Sequence, residues 1–344
     1  MTRRARRTAV HPRASRMIVA VAVGTMALSP ARAQTTAAVP QQPALPFEVP
    51  AWMFPTSAAP PSPVVDSVAP LHVPGSRAAY TALQIRDLFT VPDWHPGTHP
   101  PMPPVVAHGR KPAVRACAYC HLANGLGRPE NAMLAGLPPA YFAQQVADIK
   151  SRARQSAWKK PYGPSDTMRQ IADSATEAEV AVAARYFSRL RARQRSRVVE
   201  ATDIPRVSAE NGLYFPAESG GVEPLGRRLI EVALEPVRHL RHDPSTPYVA
   251  YVPPGSIARG RALAMTETTN GAKPCSSCHG PQLRGVGLVP PIAGRAPSYI
   301  LRQLVAFKTG ARATPASGPM RDVVAALSID DMIAASAYAG SRKP

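Results

Sequence analysis

Apolar residues recur at helical spacing in two stretches that open on proline: Tyr141, Phe142, Val146 and Ile149 after Pro139, and Tyr299, Ile300, Leu304 and Phe307 after Pro297. This period predicts amphipathic helices, and proline suits the first helical position. Two more helices are predicted from capping-box patterns. Thr176-x-x-Glu179 precedes Val180, Ala183, Ala184, Phe187 and Leu190, and Ser328-x-x-Asp331 precedes Met332, Ile333, Ser336 and Ala337. Between them the period changes. Val198-Val199, Leu213-Tyr214-Phe215 and the run over 229–234 predict short strands, separated by Asn211-Gly212, Gly220-Gly221 and Glu223-Pro224 turn signals.

The helices come in pairs because the chain repeats itself. At a shift of 158 residues, Cys117, Cys120 and His121 fall on Cys275, Cys278 and His279. The match continues through Gly127 and Gly285, Ala135-Gly136 and Ala293-Gly294, Pro139 and Pro297, Tyr141 and Tyr299, Gln145 and Gln303, Lys150 and Lys308, and Arg154 and Arg312. After a loop of unequal length the register resumes at a shift of 152, where Met168-Arg169 meets Met320-Arg321 and Tyr186 meets Tyr338.

Composition separates the ends from the repeats. Proline makes up 40 of 344 residues, and residues 34–74 are Pro, Ala, Val and Ser with almost no charge, which predicts a mobile, polyproline-like arm. The proline-dense stretch over 92–104, with Trp94, His95 and His99, reads as an ordered loop on a domain surface. The first 33 residues hold seven arginines and no acid, so the remaining 34 basic and 22 acidic residues leave +12 of the formal +19. An apolar run over 17–28 and Ala31-Arg32-Ala33 complete the pattern of an export signal cleaved near Ala33. That run is shorter than the ~20 residues a bilayer requires, so no transmembrane segment is expected in the mature chain. A nucleic-acid-binding tail would need neither the run nor the cleavage site, so the expected location is the periplasm and no nucleic-acid partner is expected.

The chemistry lies in the doubled C-x-x-C-H. Positions i, i+3 and i+4 share one helix face, so Cys117, Cys120 and His121 can meet one planar ligand, as can Cys275, Cys278 and His279. Two thiols able to form thioethers beside an imidazole able to bind iron are the pattern of c-type haem attachment. A redox dithiol expects a preceding strand in a βαβ unit, and a zinc site would have to join pairs more than 150 residues apart. Met168, 47 residues after His121, and Met320, 41 after His279, are the expected sixth ligands, each in a loop before the last helix of its copy. Met102 and Met133 compete for the first iron, but neither has a counterpart in the other copy. His95, His99, His108, His239 and His242 also lack counterparts, and His239-x-x-His242 reads as a pair of surface histidines.

On these residues the chain resembles the class I c-type cytochromes, in particular the tandem diheme cytochrome c4 type, over about 109–195 and 260–340. The resemblance implies a mainly α fold of two tandem class I cytochrome c domains, at 76–197 and 257–344. A small β-containing insert at 198–256 would lie between them, with a proline-rich disordered arm at 34–75 after the 1–33 signal. Two covalently attached haem c groups with His/Met ligation are expected to have high potential, because the thioether favours ferrous iron and an apolar pocket disfavours the extra charge of the ferric form. With both axial positions filled, the expected function is one-electron carriage, not catalysis, between periplasmic or membrane redox proteins. Lys150, Arg152, Arg154, Lys159, Lys160 and the basic cluster over 189–197 would steer partners with acidic docking surfaces. The alternatives are a haem subunit of a periplasmic dehydrogenase and a diheme peroxidase-type enzyme.

Overall fold

The computed structural model describes residues 47–56, 68–266 and 271–344. The export signal expected over 1–33 lies outside them, as does most of the expected arm. In the first copy, helices α1 (Ala82–Arg86), α2 (Pro104–Ala107), α3 (Cys117–His121), α4 (Pro139–Lys150), α5 (Gly163–Ser174) and α6 (Glu177–Ser188) surround a core that includes Val106, Ala135, Phe142 and Phe187. Both capping boxes form as their sequences predict: Thr176 accepts from the Glu179 amide at the start of α6, and Ser328 accepts from the Asp331 amide at the start of the last helix.

The insert contains more strand than its pattern suggests. Strands β1 (Arg197–Glu200), β2 (Asp203–Pro205), β3 (Val207–Glu210), β4 (Leu213–Pro216), β5 (Val222–Pro224) and β6 (Ile230–Ala233) are followed by the short helix α7 (Pro236–Leu240) and by β7 (Tyr248–Val252). Five of them form a mixed sheet in the order β1-β7-β6-β4-β3, and β2 pairs with β5. β1 runs parallel to β7, with Arg197 opposite Val249, and β6 runs antiparallel to β7, with Val232 opposite Val249.

The second copy follows as α8 (Ser256–Met265), α9 (Ser276–His279), α10 (Pro297–Lys308), α11 (Gly318–Ala325) and α12 (Ile329–Ser341). Its core includes Leu301, Val305, Met332 and Ile333. α8 crosses α12 at Gly260, where a β-carbon would lie 1.9 Å from the Ala334 carbonyl oxygen. The insert is fastened to this copy by Glu231 of β6. Its carboxylate accepts from the Ser298 amide at 3.0 Å and from the Ser196 and Ser298 hydroxyls, so a buried acid stands at the start of α10, where the helix dipole favours it.

The unpacked arm expected over 34–75 does not hold for residues 47–56. Met53 and Phe54 are buried in the second copy's core. The Phe54 ring stacks on Trp158 at 5.5 Å and meets Tyr162 edge-on at 5.3 Å, while Tyr214 of the insert donates to the Trp52 carbonyl at 2.9 Å. Phe54 and Met53, with the partly buried Phe47 and Trp52 packed against the same core, supply the apolar area that the segment's prolines lack. Residues 68–75 are also held: Leu71 pairs with Tyr80, and Val73 joins Ile85 and Trp94 in a small core of their own.

Candidate metal centres

Each C-x-x-C-H forms a single helical turn, α3 in the first copy and, with Cys275 as its N-cap, α9 in the second. After each turn the chain doubles back the same way. Gly127 donates to the His121 carbonyl at 3.0 Å, and Gly285 donates to the His279 carbonyl at 2.9 Å. Both glycines have positive φ, +65° and +82°, and a β-carbon on either would lie 2.6 Å from a backbone oxygen. Only glycine satisfies both demands, which accounts for its presence at this position in each copy.

The reversal brings a carbonyl to each imidazole. His121 Nδ1 donates to the Ala132 oxygen and His279 Nδ1 to the Pro290 oxygen, both at 2.8 Å and at equivalent positions of the repeat. Nδ1 is thereby committed as a donor and the ring orientation fixed, so that Nε2 keeps its lone pair for a metal. Burial lowers the pKa of both histidines, that of His121 to about 4, which keeps them in the neutral form that ligates. Burial, reinforced by Cys120, raises the Cys117 thiol to about 12, and burial raises Cys120 and Cys275 as well.

A continuous cavity of about 2540 Å³ runs past both motifs, and Met168 and Met320 line it. Single small-molecule sites occupy roughly 300–1,000 Å³, so this space suits more than one large ligand. The methionines are not on loops as expected. Met168 lies in the middle of α5 and Met320 near the start of α11, because Pro164 and Pro319 are tolerated in the first turn of a helix and do not bar one. Of the competitors, Met133 also lines the cavity, whereas Met102 packs against the first core.

Between the copies the repeat closes on itself. Arg154 and Arg312 lie opposite one another in an antiparallel bridge in which Gln155 donates to the Ala311 carbonyl at 2.8 Å and Ala313 to the Ala153 carbonyl at 2.9 Å. Arg154 donates to Gln145 at 3.0 Å, to Tyr299 at 2.9 Å and to Gln303 at 3.1 Å, and Arg312 donates to Gln303 at 3.0 Å and to Gln145 at 2.7 Å. Arg295, also buried, donates to the Met133 and Pro291 carbonyls, and its second terminal nitrogen has no partner. Burial works against the charge on Arg312 and Arg295 and lowers both. It also acts to raise the Tyr299 phenol, but Arg154, Arg312 and Arg295 together outweigh it and hold that phenol below its ordinary value. All three arginines line the cavity. Guanidiniums that hydrogen-bond only to carbonyl, amide and phenol oxygens fit a ligand that brings its own carboxylates, as haem does.

Other expected positions fall elsewhere. Arg154 is half-buried and turned to Tyr299 and Gln303 between the copies, and Arg195 is buried 4.3 Å over the Tyr248 ring, so neither forms the basic surface expected of them. His239 and His242 are buried, not superficial: His239 Nδ1 pairs with the Tyr248 hydroxyl at 2.9 Å, and His242 Nδ1 donates to the Tyr119 carbonyl at 3.0 Å. Among the described residues, no group of three or more His, Cys, Asp or Glu side chains is arranged to hold a metal ion, and no single helix is long and apolar enough to cross a membrane.

No protein-family profile matches the chain. Over 77 residues it is 42% identical to cytochrome c-554(547) of Halothiobacillus neapolitanus, an overlap that takes in 20% of this chain and 85% of the relative. The chain belongs to the c-type cytochromes. Over 234 residues, 67% of its length and 80% of the relative's, this cytochrome is 27% identical to a thiosulfate dehydrogenase electron acceptor of Stutzerimonas stutzeri strain A1501. Among solved structures it overlaps thiosulfate dehydrogenase TsdBA from Marichromatium purpuratum with a TM-score of 0.45 at 26% identity, covering 69% of this chain and 38% of that one. It overlaps Acidithiobacillus ferrooxidans cytochrome c4 with a TM-score of 0.44 at 19% identity, covering 65% and 98%. The resemblance to c-type cytochromes stands.

Proposed function

We propose that the chain is a periplasmic diheme cytochrome that carries single electrons between redox proteins. In this reading Cys117 and Cys120 hold one haem c and Cys275 and Cys278 the other, while His121 with Met168 and His279 with Met320 supply the axial ligands. The observation that carries it is the common cavity, lined by both motifs, both methionines, the buried Arg295 and Arg312 and the half-buried Arg154. Bound haem would supply a one-electron couple. The protein's part is to keep each imidazole neutral and aimed, to offer a thioether that favours the ferrous state, and to place cations where the cofactor's carboxylates need them. High potentials for both centres follow from that ligand set.

The relative that serves as electron acceptor of a thiosulfate dehydrogenase supports a dehydrogenase as the electron donor. It supports equally a place for this chain as the haem-bearing subunit of such an enzyme, because saturated irons relay electrons in either arrangement. The test is carbon monoxide addition to the fully reduced holoprotein at neutral pH. No rapid binding is expected at either iron, and rapid uptake would show an open coordination site and favour peroxidase-type chemistry.

A further inference from the structure

The two motifs are equivalent in sequence, but the chain treats their surfaces differently. Around the first, residues from two other segments close in. Trp94 donates to the Arg241 carbonyl at 2.7 Å, the His242 ring lies 4.4 Å from the Tyr119 ring, and His239 Nε2 stands 3.9 Å from Glu130. The insert segment over 236–246 thus lies against Tyr119 of α3, and the loop over 91–99, tied to that segment by Trp94, lies beside Ala118 and Leu122. At the second motif nothing among the described residues takes their place. Shifting by 158 residues, buried Ala118 becomes half-buried Ser276, half-buried Tyr119 and Cys120 become exposed Ser277 and Cys278, and Glu130, 8% exposed, becomes Leu288, 66% exposed.

The bare surface has a definite character. Val286 and Leu288 present an exposed apolar tip, and Val286 lies against Gly280, two residues after Cys278. Lys273, Arg284 and Lys343 are exposed, and from residue 271 to residue 320 the sequence contains no aspartate or glutamate. A thioether to Cys278 would fix the porphyrin rim within bonding distance of this surface, whereas the equivalent rim at Cys120 would lie beneath the insert.

We infer that the surface around Cys278 and Leu288 is the docking face through which the protein exchanges electrons with another redox protein, one bearing an apolar centre with an acidic rim, and that the first centre communicates through the second. This rests on the electron-carrier reading. Exposed apolar patches ringed by charge mark interaction sites, and complementary charge across the rim sets the association rate and its salt dependence.

The test uses the holoprotein and flavodoxin hydroquinone as an acidic one-electron protein donor, with the second-order reduction rate read by stopped flow at low and high ionic strength. Arg284→Glu and Leu288→Asp alter the open face. Arg86→Glu makes the same charge change as Arg284→Glu at an exposed position beside the first motif. At low salt the first two are expected to slow reduction about fivefold or more and Arg86→Glu less than twofold, with the difference shrinking at high salt. Equal slowing by Arg86→Glu and Arg284→Glu, or no slowing by Leu288→Asp, would overturn the docking assignment. Dithionite reduction of both irons, unchanged in every variant, separates that result from loss of the carrier reading, which fails only if carbon monoxide binds.

Discussion

Arg154 of the first copy donates to Gln303 of the second at 3.1 Å, and its repeat partner Arg312 donates to Gln145 of the first at 2.7 Å. Residues that match within the repeat therefore meet across it, and the two copies are joined by a ring in which each glutamine oxygen accepts from both guanidiniums. A double-mutant cycle of Arg154→Ala with Gln303→Ala should give a coupling energy of about 0.5–3 kcal/mol in chemical denaturation, as contacting members of one hydrogen-bond network do. Additive losses would mean that the ring contributes no coupling between the copies.

Met168→Ala and Met320→Ala should each remove about half of the far-red sulfur-to-ferric-iron absorption of the oxidised holoprotein and lower the potential of one centre. Met133→Leu should leave both unchanged, because Met133 is packed in the first core and has no counterpart in the repeat. Retention of the full band in both alanine variants would remove these methionines from the ligand set.

Phe54→Ala should destabilise the folded protein by about 3–5 kcal/mol, the cost of emptying a buried aromatic site. Urea unfolding followed by circular dichroism measures it. A loss below 1 kcal/mol would mean that the segment over 47–56 is an ornament and not a strut.

Glu179 gives a pH dependence. A hydrogen bond from Arg110 at 2.7 Å, the capping contacts with Thr176 and the Arg110 charge hold its carboxyl at about 2, below an ordinary 4.5. A depressed carboxyl contributes stability that is complete above the unfolded value and lost as pH falls from about 4.5 through about 2. Arg110→Ala should therefore lower the thermal midpoint at pH 6, by the modest amount an accessible ion pair allows, and the gap from the parent should narrow progressively below pH 4.5. A gap that widened on acidification would reverse the assignment.

Local signals were the readable ones. Proline-initiated α4 and α10, both capping boxes and strands β1, β4 and β6 all follow from neighbours in the chain, and the histidines, glycines and cysteines of each motif were visible because the chain states them twice. What escaped was non-local. β7 completes a parallel pair with β1 about 50 residues away, and parallel pairing leaves no turn signature between its strands. The segment around Met53 and Phe54 lies in a proline-rich context whose composition masks its aromatic anchors. His239 and His242 looked superficial because nothing in their spacing reveals that a separate motif lies beneath them. The matches of Arg154 with Arg312 and Gln145 with Gln303 were legible as repetition, while their meeting depends on how the copies face one another.

Arg154, Arg295 and Arg312 place three positive charges in the interior with only neutral oxygens to bind them. A polypeptide built this way closes comfortably only once counter-charge arrives from outside its own residues. On the proposed diheme reading, biogenesis should thus proceed in a fixed order, with haem attached to a loosely collapsed precursor whose final tightening waits for it. A cell short of the attachment machinery would then accumulate proteolytic fragments in place of colourless full-length protein.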